Sequence, residues 1–282
     1  VAQVLVRSQT DLDLYCTMMS RETNFRFSDL SSVWRDSSPF RYLRRLVQDG
    51  DGAVIPRIEQ ERPILHLVTH FLLGTSRPLF DALGTRLLIV EVIRHPLYLI
   101  KQWHAWMPRA RSDPRFFFLR IEHEGESLPW FAKGWEDLYL GSNRMDRAIY
   151  SIEKQWRLDK LVVERLPSEL RKRILIVPFE QFVVRPGSYM EQLEALLGTK
   201  VNARTRRMMK KQRVPRKKWA EGIDIKIYRD YGWEPPDPGA DERRELEKRR
   251  EFAASEGSSD AMKSLDRLCA EYEAEFLPEL SR

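Results

Sequence analysis

Cysteine is scarce in this sequence, and long apolar runs are missing. The 282 residues include two cysteines, Cys16 and Cys269, which are too few for a disulfide framework and lack the spacing of metal ligands. So few cysteines are typical of a reducing compartment, and we therefore expect a cytoplasmic protein. No apolar run approaches the roughly 18 residues that a transmembrane helix requires, so we expect no membrane span.

Two signals of nucleotide and metal chemistry are also missing. The Walker pattern G-x-x-x-x-G-K-[ST] does not occur, which argues against an ATP or GTP loop of that kind. No carboxylate pair or histidine cluster stands out, so we expect no bound metal. The formal charge of +6 arises from many charges of both signs. Such a balance suggests anionic ligands without requiring a nucleic acid, and we expect no nucleic-acid partner.

The composition that is present is that of a globular protein. Apolar residues make up 42% of the chain and aromatic residues 11%. This length suits one large α/β domain with a helical appendage. We expect the main domain at residues 1–238, with an aromatic-rich insertion at 109–141, and a helical C-terminal extension at 239–282.

Apolar strand candidates alternate with helical segments along the main domain. The strand candidates lie at residues 4–6, 64–68, 86–93 and 174–177. Each is almost continuously apolar, which is typical of a parallel sheet buried on both faces. Helices are predicted at 79–83, at 97–107, from 145 to 156, and from Pro186 to a stop at Gly198. The sequence therefore predicts a three-layer α/β fold, in which helices cover both faces of a parallel sheet.

The polar residues that follow these strands form the first candidate site. Ligands of such folds bind beyond the carboxyl ends of the strands. This rule gathers Arg7–Asp11, Thr69, His70, Arg94 and Glu180 at one edge of the predicted sheet. The first of these segments joins a strand to a helix, where free N–H groups and the helix dipole favour an anion. A polar turn that only caps the helix is the alternative.

Four segments, in this order along the chain, resemble the sulfotransferases that use 3′-phosphoadenosine 5′-phosphosulfate (PAPS). The segment Arg7-Ser8-Gln9-Thr10-Asp11-Leu12 is similar to their 5′-phosphosulfate loop, with Gln9 at a position where the family carries glycine. Leu67–Leu73 resembles the segment that carries the acceptor base. Leu88–Pro96 resembles the strand before the 3′-phosphate arginine, and Ile174–Gly198 a later strand–helix element. The resemblance implies a P-loop NTPase-like sulfotransferase fold.

The resemblance also implies roles for individual residues. Arg7 and His70 would be catalytic, with His70 as the acceptor base and Arg94 on the 3′-phosphate. The residues implied to bind PAPS are Arg7, Ser8, Gln9, Thr10, Asp11, Leu12, Arg94, Gln102, Arg216 and Lys217. The implied reaction moves a sulfuryl group from PAPS to a hydroxyl or amine of a small molecule or carbohydrate, without a metal. PAPS and an acceptor are therefore the expected partners.

Three other functions stay open at this point. A degenerate sulfotransferase fold would bind nucleotide without turnover, and Gln9 is the main argument for it. A P-loop-like phosphotransferase would need a loop lysine and a magnesium-binding aspartate. A non-catalytic module for anions or nucleic acid would use the basic stretch 204–218, whose simpler interpretation is a solvated surface. Aromatic residues of the insertion would either line the acceptor pocket or pack in the core: Phe116, Phe118, Trp130, Phe131, Trp135 and Tyr139.

Overall fold

The computed structural model describes residues 60, 64, 71–112, 119–224, 226–230, 234–236, 239 and 241–278. The predicted strand at 4–6, nearly all of the one at 64–68, the loop Arg7–Leu12 and His70 lie outside the described residues. The chain packs as two compact units, one of residues 1–87 with 225–227 and one of residues 88–224 with 228–282. The domain boundary expected at residue 238 stays a prediction.

The described part of the first unit centres on one short helix, α1 (Arg77–Leu83). Pro78 lies in its first turn, where the missing N–H costs no helical hydrogen bond. Short 3₁₀ turns at Leu73–Thr75 and Gly84–Arg86 flank α1, and Phe80 is buried. The predicted helix at 79–83 is therefore confirmed.

The second unit is mixed α/β and mostly helical. Its strands are β1 (Ile89–Ile93), β2 (Arg120–His123), β3 (Glu126–Pro129) and β4 (Ile174–Pro178). Its longer helices are α2 (Pro96–Ser112), α4 (Arg144–Arg165), α7 (Gly187–Leu197), α8 (Ala203–Lys211), α10 (Glu242–Ala254) and α11 (Ser259–Phe276). The shorter ones are α3 (Glu136–Gly141), α5 (Ser168–Arg171), α6 (Phe179–Val184) and α9 (Lys226–Asp230), of which α9 begins in the residues assigned to the first unit. None of the helices in the described part of the chain combines the length and apolar composition needed to cross a membrane.

β1 and β4 form a parallel pair, as predicted for these two segments. Ile89 lies opposite Ile174, and Ile93 lies opposite Pro178. Both strands are rich in β-branched residues, which favours strand formation, although Val90 and Val92 of β1 are exposed. The parallel register brings the residues that follow the two strands to the same end of the pair.

The helical core of the second unit is built from α2, α4 and α11. Asn143 caps α4 by accepting a hydrogen bond from the Asp146 N–H, and Ser258 caps α11 in the same way. The Asp146 carboxylate accepts in turn from the Ser258 N–H at 2.8 Å, which joins the starts of the two helices. Between them lie fully buried apolar side chains such as Ile149 and Leu265.

α2 continues past the end that the sequence predicted at Met107. Pro108 lies inside the helix and has no N–H to donate to the carbonyl of His104, one turn earlier. The Nε of Arg144, on α4, donates to that carbonyl at 2.7 Å instead. Because a distant side chain replaces the lost helical bond, the helix runs on to Ser112.

The aromatic insertion has more regular structure than its sequence suggested. β2 and β3 form an antiparallel hairpin, and its two-residue turn places Glu124 and Gly125 at positive φ, as a type I′ turn requires. The hairpin lies within the aromatic-rich insertion expected at residues 109–141. Trp135 and Tyr139 are buried and stack edge to face at 5.3 Å. Packing in the core therefore accounts for these two aromatic residues.

Candidate functional site

Arg94 and Glu180 meet where the parallel strands end. Arg94 directly follows β1, and Glu180 is the second residue of α6, which begins immediately after β4. Arg94 Nε lies 3.7 Å from Glu180 Oε1, and the Glu180 side chain is fully buried. The prediction that these two residues share one edge of the sheet is confirmed.

Glu180 is held in place by neutral donors as well as by Arg94. The backbone N–H of His95 donates to its Oε1 at 3.2 Å, and the Tyr272 hydroxyl donates to its Oε2 at 2.6 Å. Burial, reinforced by the negative charge of Glu180, raises the pKa of Tyr272. The phenol therefore keeps its proton and stays a donor. Glu180 is thus an anchor that fixes the position of Arg94.

Two aromatic rings flank the guanidinium of Arg94. Its Cζ lies 4.7 Å from the centroid of the Tyr98 ring and 4.6 Å from that of Phe179, within cation–π range. Burial lowers the pKa of Arg94, and the charge of Glu180 opposes that shift. The Nε–H is buried without a hydrogen-bond partner among the described residues, whereas 26% of the side chain as a whole is exposed. The guanidinium is therefore held between two rings, and part of the Arg94 side chain reaches the surface.

Arg216 reaches the same ring from a distant part of the sequence. Its Cζ lies 5.3 Å from the centroid of Phe179. Its backbone N–H donates to the carbonyl of Val183, at the end of α6, at 2.6 Å, and its Nη1 donates to the carbonyl of Trp219 at 3.3 Å. Burial lowers the pKa of Arg216, and the positive charge of Arg94 lowers it further. Two residues that the sequence assigned to PAPS thus converge on Phe179.

Two further residues assigned to PAPS, Gln102 and Lys217, lie among the described residues. Gln102 is half-buried on α2, one helical turn beyond Tyr98 and on the same face. The Lys217 side chain is exposed, and its backbone N–H donates to Glu221 at 3.0 Å. Arg7, Ser8, Gln9, Thr10, Asp11, Leu12 and His70 lie outside the described residues.

Sequence reasoning missed three members of this cluster: Tyr98, Phe179 and Arg249. Arg249 lies on α10, far from Tyr98 in the sequence, and its Cζ lies 4.2 Å from the centroid of the Tyr98 ring. Tyr98 carries a weak sequence signal because it lies one turn after Arg94. Arg249 carries none, since it is one of several arginines in an almost wholly charged helix. Together, the arginines and rings form a site suited to a phosphate or sulfate group.

A second group of side chains has the composition of a metal site. His123, Glu124 and Asp137 offer ligand atoms that all lie within 4.8 Å of one another. The His123 Nε2 lies 2.8 Å from Asp137 Oδ1, and this hydrogen bond raises the pKa of His123. The sequence did not show this group because Asp137 lies on α3, beyond the hairpin. Both carboxylates are exposed, so the ordinary interpretation is a surface ion pair.

Comparison of the chain with protein-family models, with curated proteins and with solved structures found no match. The function is therefore inferred from the arginine cluster, which consists of Arg94, Arg216 and Arg249 with the rings of Tyr98 and Phe179.

Proposed function

We propose that the protein is a PAPS-dependent sulfotransferase. In this proposal β1 and β4 belong to a larger parallel sheet that also contains the predicted strands at 4–6 and 64–68. Helices would cover both faces of that sheet, giving the three-layer sulfotransferase fold.

The convergence of Arg94 and Arg216 on Phe179 carries the proposal. The two residues were assigned to one ligand from separate parts of the sequence, and each guanidinium lies within about 5 Å of the same ring. A guanidinium presents a planar fork that matches phosphate oxygens. Arg94 and Arg216 each have a buried Nε–H without a hydrogen-bond partner among the described residues. The residues present thus fit a phosphate group.

The proposed roles combine the positions of Arg94 and Arg216 with the roles that the resemblance implies for the other residues. Arg94 and Arg216 would hold the 3′-phosphate, which distinguishes PAPS from nucleotides such as ATP. Arg7 and the N–H groups of the following loop would bind the 5′-phosphosulfate. PAPS supplies the sulfuryl group, and its 5′-phosphate is the leaving group.

The expected transfer is an in-line displacement at sulfur. The bond between sulfur and the 5′-phosphate oxygen breaks as the bond to the acceptor oxygen or nitrogen forms. His70 would take the acceptor proton, and Arg7 would neutralise the charge that develops on the leaving phosphate. Such a site acts mainly by positioning and electrostatic stabilisation, as in phosphoryl transfer.

Ligand-dependent stabilisation tests this proposal. At equal concentration, 3′,5′-ADP should raise the melting temperature of the protein more than 5′-AMP does, because only 3′,5′-ADP carries the 3′-phosphate. Equal shifts for the two nucleotides would argue against a PAPS site.

Gln9 favours one second candidate, a sulfotransferase fold that binds nucleotide without turnover. A side chain at a position where the family has glycine would crowd the phosphosulfate. If PAPS is not consumed with a panel of hydroxyl and amine acceptors although 3′,5′-ADP binds selectively, this second function replaces the first.

A further inference from the structure

We propose that Arg249, on helix α10 of the C-terminal extension, is a third guanidinium of the same anion site and contacts the 3′-phosphate together with Arg94 and Arg216. This inference rests on the proposed function. It assigns to the C-terminal extension a direct part in ligand binding.

Three arginines and two rings form an unbroken series of contacts. Arg249 lies 4.2 Å from the Tyr98 centroid, and Arg94 lies 4.7 Å from that same ring. Arg94 then lies 4.6 Å, and Arg216 5.3 Å, from the Phe179 centroid. Each ring therefore contacts two guanidinium groups, and Arg249 reaches Arg94 through Tyr98 in the same way that Arg216 reaches it through Phe179.

The arginines of this series share an unsatisfied donor. The Nε–H groups of Arg94, Arg216 and Arg249 are all buried and have no hydrogen-bond partner among the described residues. The Arg249 side chain is only 8% exposed. A buried Nε–H without a partner also occurs at Arg173, but the other three lie in one cluster, where an anion could accept from several of them. A phosphate group supplies several acceptor oxygens at once.

The carboxylates of Glu180 and Glu242 offset the positive charge of the arginines, but their hydrogen bonds are accepted from other groups. Glu180 accepts from the His95 N–H and the Tyr272 hydroxyl. Glu242 accepts from the Trp219 N–H at 2.6 Å and from the Tyr98 hydroxyl at 3.3 Å.

Arg249 forms an ion pair with Glu245, but the two groups are too far apart for a strong hydrogen bond. Glu245 Oε2 lies 3.6 Å from Arg249 Nη2, beyond the roughly 2.7–2.9 Å of a strong charged hydrogen bond. The carboxylates thus offset the buried positive charge. Arg249 also makes a side-chain hydrogen bond to Tyr98, and its Nε–H is left without a partner among the described residues.

Arg250 provides a matched control on the same helix. It is the next residue along α10, but its guanidinium is engaged by both carboxylate oxygens of Asp266, at 2.8 and 2.7 Å. The Arg250 side chain is half exposed. Replacing Arg250 removes the same charge from the same helix without touching the proposed site.

The test is titration of 3′,5′-ADP and of 5′-AMP into the full chain by calorimetry. Arg249→Gln should weaken 3′,5′-ADP binding by about tenfold to hundredfold, the loss expected for one charged hydrogen bond, and leave 5′-AMP within about twofold. Arg250→Gln should bind both nucleotides as the wild type does. Arg249→Lys keeps the charge but loses the fork, so it should show a smaller loss that is still selective for 3′,5′-ADP.

Each result decides the question. Wild-type affinity in Arg249→Gln, or equal losses for both nucleotides, would show that Arg249 only supports the fold. If Arg249→Gln does not melt cooperatively, Arg249→Lys decides, and unchanged selectivity in that variant overturns the inference. A wild-type protein without preference for 3′,5′-ADP would refute the proposed function itself, and this inference with it. A preference for 3′,5′-ADP that is as large in the Arg249 variants as in the wild type would refute this inference alone.

Discussion

Glu91 is a largely buried carboxylate in the middle of β1. Burial raises its pKa from 4.5 to about 7, and the negative charge of Asp159 on α4 adds to the shift. The folded state therefore keeps a proton that the unfolded chain releases as the pH rises above about 4.5. Its contribution to stability is fully present below that pH, and it is lost as the pH rises through about 7.

Replacing Glu91 by glutamine should remove this pH dependence. Glu91→Gln should unfold with nearly the same free energy as the wild type at about pH 4.5 and gain up to about 3 kcal/mol relative to it at about pH 8. The measurement is urea denaturation at both pH values. The matched control is Glu122→Gln, which changes an exposed carboxylate on β2. A difference that does not vary with pH would contradict the assignment of a raised pKa to Glu91.

The residues of the arginine cluster illustrate what the sequence could and could not indicate. Arg94 was predictable because it ends a strongly apolar strand and precedes a proline, whereas Arg216 was assigned through the resemblance to PAPS-dependent sulfotransferases. Arg249 and Phe179 were not, because their importance arises from contacts with Tyr98, Arg94 and Arg216 that only the folded chain brings together. Local patterns cannot report such long-range contacts.

At the scale of elements, the interface between α4 and α11 combines an apolar centre with charged edges. The edges carry the ion pairs Arg157–Glu271, Lys160–Glu275 and Arg267–Glu153, at 2.6, 2.8 and 3.0 Å. Ion pairs that are partly exposed contribute about 0–1 kcal/mol each. The apolar centre should therefore supply most of the stability of this interface.

A pair of leucine substitutions tests this ranking. Leu265 on α11 is fully buried, and Leu265→Ala should lower the free energy of unfolding by about 2–5 kcal/mol. Leu161 on α4 is 38% exposed, and the same substitution there should cost far less. Guanidinium denaturation of both variants gives the comparison. Similar losses at the two positions would contradict this ranking, because the buried position would then contribute no more than the exposed one.

Elements with strong local patterns were predicted well. Five apolar residues recur at helical spacing in α11, and four of them are buried while Phe276 is half-buried: Met262, Leu265, Cys269, Tyr272 and Phe276. Elements that depend on contacts with distant residues were predicted less well. β3 is a strand because β2 pairs with it, and α2 passes Pro108 because Arg144 replaces a hydrogen bond. Neither compensation is visible in the local sequence.

At the scale of the whole molecule, the arginine cluster draws on segments that are far apart along the chain. Arg94 and Tyr98 lie at the end of β1 and the start of α2, Phe179 begins α6, and Arg249 comes from the C-terminal extension. The extension packs on α2 and α4 within the same compact unit. An anion bound to this cluster would therefore link the strand ends to the C-terminal helices.

Selective recognition of the 3′-phosphate by Arg94 is the central claim, and a crossed titration tests it most directly. The titration measures 3′,5′-ADP and 5′-AMP against the wild type and Arg94→Ala, after thermal melting has shown that the variant is folded. A charged hydrogen bond contributes about 1.5–3 kcal/mol, so Arg94→Ala should weaken 3′,5′-ADP by about tenfold to hundredfold and barely change 5′-AMP. Equal losses for the two nucleotides would contradict the account, because they would show that Arg94 supports the fold rather than the 3′-phosphate.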